Sequence, residues 1–189
     1  DWQATVNEAK AFRDQLEKRS KDYFQNTQKY IRPIMLIQVE RTGKDQRNGV
    51  LIHSEDVKEY LIKQCAVPRN QIAIKTSEKD DIERIDLLEV DCPIRYIITK
   101  QALQEGWDCP FAYILVSLTN SHSETSMTQL IGRILRQPYA SKTSIKELDE
   151  SYVYTCQYDT NKLVRGIISN LQNEGLDDVS NFLSIHENG

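Results

Sequence analysis

Between Pro33 and a loop that starts at Arg41 the chain reads Ile-Met-Leu-Ile-Gln-Val (34–39), an almost unbroken apolar run. A strand with water on one face alternates apolar and polar residues. A run that does not alternate fits a strand buried on both faces, as in a parallel sheet sandwiched between helices. Four similar runs follow at 71–76, 94–99, 112–118 and 152–156. Parallel neighbours need crossover connections rather than tight turns, so the segments between these runs must carry the covering helices.

Helical spacing is present where that argument needs it. Residues 3–30 are rich in Lys, Glu, Asp and Gln and put Trp2, Val6, Ala9 and Leu16 on one stripe, which predicts an amphipathic helix. Ser54, backed by Glu55 and Asp56, starts a second helix with Val57, Tyr60, Leu61 and Cys65 in register up to Pro68. Ser77 and Asp80 have the spacing of a capping box, which predicts a third helix through Ile82, Ile85 and Leu88. Two more are expected at the end, one through Leu163, Val164, Ile167, Ile168 and Leu171, the other through Val179, Phe182, Leu183 and Ile185. The fold class is therefore α/β, a parallel sheet with helices on both faces. The expected divisions are a leading helix at 1–31, the sheet domain at 32–158 and terminal helices at 159–189, and a start at Asp1 without methionine is expected for a fragment.

Four cysteines and three histidines are scattered with no CxxC pair, so neither a zinc site nor a disulfide framework is expected. Reduced thiols in a cytoplasmic protein are the expectation. No apolar run approaches the about 18 residues that span a bilayer, so no membrane partner is expected. The net charge of -4 excludes binding to nucleic acid through bulk positive charge; any phosphate contact must be local.

The stretch richest in chemistry is 123–138, SETSMTQLIGRILRQP. At about 100° per residue a helix here puts Met127, Leu130, Ile131, Ile134 and Leu135 on one side. Gln129, Gly132, Arg133 and Arg136 gather on the other. A mid-helix glycine costs roughly 1 kcal/mol relative to alanine and opens space between two arginines, which suits the approach of an anion. One strand earlier, TKQALQEGWDCP (99–110) leaves the end of the 94–99 run. Ligands of open α/β sheets bind beyond the carboxyl ends of strands. There the Thr99 hydroxyl and free N–H groups can meet a phosphate, Gly106 frees the backbone, and Asp108 suits the hydroxyls of a ribose.

The pairing of TKQALQEGWDCP with QLIGRILRQP resembles motifs V and VI of the second RecA-like domain of superfamily 2 helicases and translocases, and RPIMLIQVERTG stands where motif IV belongs. The fuller wording is most similar to the Res subunit of type III restriction enzymes, and the resemblance covers roughly residues 30–157. It implies a RecA-like fold without its own P-loop, forming the C-terminal motor half of an ATP-dependent DNA helicase or translocase. Gln129, Gly132 and Arg133 would face the nucleotide, with Gly106 and Asp108 beside it, and Arg136 would be the arginine finger. Leu135 stands where many members have glycine, so the choice of finger between Arg136 and Arg133 stays open. Thr99 and Thr42 would touch the nucleic-acid backbone. The implied cofactors are ATP and Mg²⁺, held mainly by the first RecA-like domain of the same protein. The implied partners are double-stranded DNA, that domain, and a DNA-methyltransferase (modification) subunit.

Some parts of such an enzyme are not in this sequence. No G-x-x-x-x-G-K-[ST] occurs: Gly43-Lys44 is followed by Asp45, with Gln38 where the first glycine belongs. None of the five prolines is followed by Asp, so the PD motif of a restriction nuclease is missing too. Asp149-Glu150-Ser151-Tyr152 imitates a DExH box but precedes a strand, and an exposed turn is expected. A G-x-G-x-x-G dinucleotide loop is absent. The alternative function is a catalytically silent RecA-like module that binds or regulates.

Overall fold

The computed structural model describes residues 1–40, 49, 51–100, 109–118, 143–155 and 169, and the backbone of 183–187. Helix α1 (Trp2–Thr27) and strand β1 (Ile34–Gln38) are followed by α2 (Ser54–Lys63), β2 (Ile72–Lys75), β3 (Tyr96–Thr99), β4 (Ala112–Ser117), β5 (Ser151–Thr155) and β6 (Leu183–Glu187). The strands form one six-stranded sheet in the order β2-β3-β1-β4-β5-β6, and every pairing is parallel. This is an α/β sheet consistent with a RecA-like fold, and the five strand runs expected from the sequence are all in it. The sixth strand was not expected. Leu183 and Ile185, assigned above to a helix, lie on β6 beside β5. Residues two apart share a face on a strand but lie about 200° apart around a helix, and β5 supplies the strand with a partner. The helices expected at 123–138 and 163–171 fall outside the described residues, apart from Ser169, which is helical.

Register sorts the sheet into two faces. Tyr96, Met35, Ile114 and Tyr152 are partners in one row, and α1 covers it: Arg13 lies against Tyr96 and Phe12 meets Tyr152 edge-on at 4.4 Å. The row one residue on, Ala73, Ile97, Leu36, Leu115 and Val153, points the other way and is just as buried. Burial on both sides is why these runs do not alternate in sequence.

The buried face of α1 is mostly apolar, with Thr5, Arg13 and Ser20 as its polar members. Val6, Ala9, Leu16 and Tyr23 are buried, and so is Arg13. Its guanidinium donates to the Pro33 carbonyl at 2.9 Å and the Tyr96 hydroxyl at 3.2 Å, and pairs with Asp14 at 2.7 Å and Glu17 at 3.4 Å. Glu17 also accepts from Arg95 at 2.5 Å, tying α1 to the residue that leads into β3. At the other end of α1, Trp2 packs on Tyr60 of α2 with centroids 5.2 Å apart, and Tyr60 donates to Asn7. Helix α2 is capped by His53, one residue before the expected Ser54, whose Nδ1 accepts from the Glu55 N–H while Asp56 accepts from the His53 N–H.

The helix expected from Ser77 through Leu88 does not form. Thr76 caps a turn, taking the Glu78 and Lys79 N–H groups on its hydroxyl, and the chain folds back along the outer edge of β2. There Asp81 satisfies both main-chain groups of Ile74. Three separate turns follow, and Arg32 takes the carbonyls of Leu87 (2.6 Å), Glu89 (3.0 Å) and Ile94 (2.7 Å). The Arg32 side chain is 1% exposed, and it also stacks over Tyr30 and Phe111. Leu87 lies in the last turn of the expected helix and Glu89 and Ile94 lie beyond it, so this guanidinium pins the far end of the segment while Asp81 ties its start to β2, and local spacing loses to long-range anchors.

Replacing Arg32 with methionine strands three carbonyls and should cost on the order of 3 kcal/mol or more, read as a lower denaturation midpoint of 1–189; an unchanged midpoint would refute the anchor. Acid should loosen α1. Burial alone would raise the Asp14 and Glu17 carboxyls, but Lys10 and Arg13 hold Asp14, and Arg13 and Arg95 hold Glu17, below their ordinary values of 3.8 and 4.5. Their folded-state values are depressed, so their stabilisation is complete above that range and is lost as the pH falls through and below it. Acid titration of wild type against Glu17→Gln should show a shallower loss in the variant.

Candidate functional site

The carboxyl ends of the strands carry one polar row. The register makes Lys75, Thr99, Gln38, Ser117, Thr155 and Glu187 successive partners across all six strands. By alternation this row belongs to the face away from α1. Thr99 and Ser117 are 1% exposed, Thr155 3% and Gln38 6%. Among the described residues, three buried side-chain oxygens have no hydrogen-bond partner, and all three are in this row: Gln38 Oε1, Ser117 Oγ and Thr155 Oγ1. Buried polar atoms are nearly always paired, so three orphans side by side mark a place where stability is not the only requirement.

Gln38 is the centre of the row. Its Nε2 donates to the Lys100 carbonyl at 3.1 Å, its main-chain carbonyl accepts from Leu118 N–H at 2.9 Å, and the next residue, Val39, donates to the Thr99 carbonyl at 2.8 Å. Strand β1 lies between β3 and β4, so the segments that follow those two strands leave the same edge with one strand between them. Neutral amide and hydroxyl groups can hold water or main chain in place. They cannot neutralise phosphate, and charge enters the row only at its ends, where Lys75 pairs with Asp80 at 2.5 Å on the β2 side.

Of the site residues expected from sequence, the structure places Thr99 at this edge, inside the buried row. Thr42, Gly106, Asp108, Gln129, Gly132, Arg133 and Arg136 lie outside the described residues. Of the DExH-like residues, Asp149 and Glu150 precede β5 and are half-buried rather than exposed, while Ser151 and Tyr152 are buried in the strand itself. Asp149 is committed to Thr143, accepting from its N–H at 2.6 Å and from its hydroxyl at 2.9 Å. A cavity of about 750 Å³ opens between the start of α1 and α2, lined in part by Glu40, Asp56 and Glu59 with Lys63. Its acidic lining does not suit a polyanion. Sequence reasoning missed Gln38, Ser117 and Thr155 as a set. Each is a polar residue at the end of an apolar run, a visible signal, but only the pairing aligns them.

Thr155→Val and Ser117→Ala each remove an unpaired buried hydroxyl. Each should raise the thermal midpoint of 1–189, by about 1 kcal/mol in stability. A lowered midpoint in both would mean that the hydroxyls are already satisfied.

No protein-family model matches this chain, and no solved structure matches it. Curated proteins do. Over 52 residues it is 46% identical to the type III restriction-modification enzyme EcoPI Res subunit of Escherichia phage P1, a match covering 28% of this chain and 5% of that protein. Identity and coverage are the same for the EcoP15I Res subunit of Escherichia coli. The StyLTI Res subunit of Salmonella typhimurium is 43% identical over 44 residues, 23% of this chain and 4% of the relative. The matches thus span about a twentieth of these relatives' length, and over its matched part the chain is similar to Res subunits of type III restriction-modification enzymes.

Proposed function

We propose that this chain is the C-terminal motor half of an ATP-dependent DNA helicase or translocase of the type III restriction kind. One observation carries the reading: the strands that precede TKQALQEGWDCP and QLIGRILRQP flank the same central strand, so both motif-bearing segments start from one carboxyl edge. Partial identity to three Res subunits supports the same family. The roles assigned to single residues follow the resemblance: Gln129, Gly132, Gly106 and Asp108 toward the nucleotide, Arg133 and Arg136 toward its phosphates, with Thr99 and Thr42 on the DNA backbone. Thr99 is 1% exposed, so its contact with DNA requires that edge to open.

The edge itself does not suit Mg²⁺, since its central groups are neutral and the sequence has no P-loop. ATP and Mg²⁺ are assigned to a first RecA-like domain, and this chain faces them across a cleft. A guanidinium fork stays charged and meets phosphate oxygens in pairs; as a finger it is worth about 10³ to 10⁵ in rate, roughly 4 to 7 kcal/mol of barrier. Delivered across a cleft, it acts only when the domains close, which couples hydrolysis to movement along DNA. A modification subunit is the proposed protein partner.

In the full-length protein, Arg136→Ala should abolish DNA-stimulated ATP turnover and leave nucleotide and DNA affinity nearly intact, because the contact is made in the transition state. Lost affinity with preserved turnover contradicts the role. Residues 1–189 alone should release no phosphate from ATP with or without DNA. A full-length protein with no turnover at all would favour the silent binding module.

A further inference from the structure

We propose that Gln38 is a positioning residue that holds the roots of both motif-bearing segments at once. It occupies the last position of β1, the strand between β3 and β4. Toward β3, its side-chain amide fixes the Lys100 carbonyl at 3.1 Å, immediately before the stretch with Gly106 and Asp108. Toward β4, its main-chain carbonyl fixes the Leu118 N–H at 2.9 Å, at the end of the strand from which the chain runs on to Gln129, Arg133 and Arg136.

The side-chain bond is the informative one, because it is optional. Main-chain bonds at 38 would form with any residue in the strand. A leucine or methionine would fill the same buried space without leaving Oε1 unpaired. The amide instead costs an orphaned acceptor and gains one bond to a carbonyl outside the strand ladder. The neighbouring orphan, Ser117 Oγ, lies one strand over in the same row. Gln38 is thus set to report the position of one segment to the other through a rigid central strand, and its length is what lets the amide reach Lys100.

Two measurements test this. In residues 1–189, Gln38→Met keeps chain length, removes the donor and also removes the orphaned oxygen. Global stability should hold or rise, while amide hydrogen exchange in the stretch 100–108 accelerates about tenfold and exchange in β1, β3 and β4 stays unchanged. Unchanged exchange at 100–108, or an increase spread evenly through the three strands, overturns the proposal. The consequence for catalysis rests on the motor reading above: in the full-length protein Gln38→Met should lower kcat for ATP about ten- to a hundredfold and leave KM within about threefold. A wild-type protein without turnover defeats the motor reading and leaves the exchange result to decide Gln38. Faster exchange with unchanged kcat in an active protein defeats the catalytic consequence.

Discussion

The main-chain groups of β1 must be paired on both edges, because no water reaches them. Ile34, Met35, Leu36 and Ile37 are fully buried, and the strand finds its partners in β3 and β4, which come later in the chain. Neither neighbour is sequential, so the sheet cannot be assembled from hairpins; its centre closes only when segments about 60 to 80 residues away arrive. Helix α1 then has a floor to pack on, and the ends of three adjacent strands come to one edge. The remaining architecture follows from that closure.

Two buried arginines show how the surroundings of the sheet are held. Arg13 fixes α1 through a carbonyl, a tyrosine hydroxyl and two carboxylates. Among the described residues Arg32 meets no carboxylate; it is surrounded by carbonyl oxygens and aromatic faces. A guanidinium can be satisfied by dipoles alone because its five donors fan out in a plane, which a lysine ammonium does not do. Both residues act at long range in sequence: Arg13 reaches Tyr96, 83 residues on, and Arg32 reaches carbonyls 55 to 62 residues on.

That range explains which features were legible in the sequence. The strand runs were, because burial on both faces writes itself into consecutive residues such as 34–37. The stripe of α1 was, because Val6, Ala9 and Leu16 keep their spacing. The segment after Thr76 was not: its capping-box spacing is genuine, but Asp81 is drawn to the edge of β2 and Arg32 claims the carbonyls beyond. Leu183 and Ile185 have the spacing of a strand, but Phe182 and Val179 beside them suggested a helix, and pairing with β5 settled the matter. At the candidate site, the segments and their common edge could be anticipated from strand ends. Gln38, Ser117 and Thr155 could not be recognised as a row, since alignment across strands is a property of register, and register has no local signal.

The return of Asp80 and Asp81 along β2 has an effect on how this sheet meets other proteins. Ile74 has its N–H and its carbonyl already engaged, and two carboxylates stand on that border. A foreign strand arriving there finds Ile74 already paired and the border occupied by Asp81 and by the Lys75–Asp80 ion pair. The short edge strand is thus covered at Ile74 by its own chain, which hinders it from recruiting a strand of another copy there.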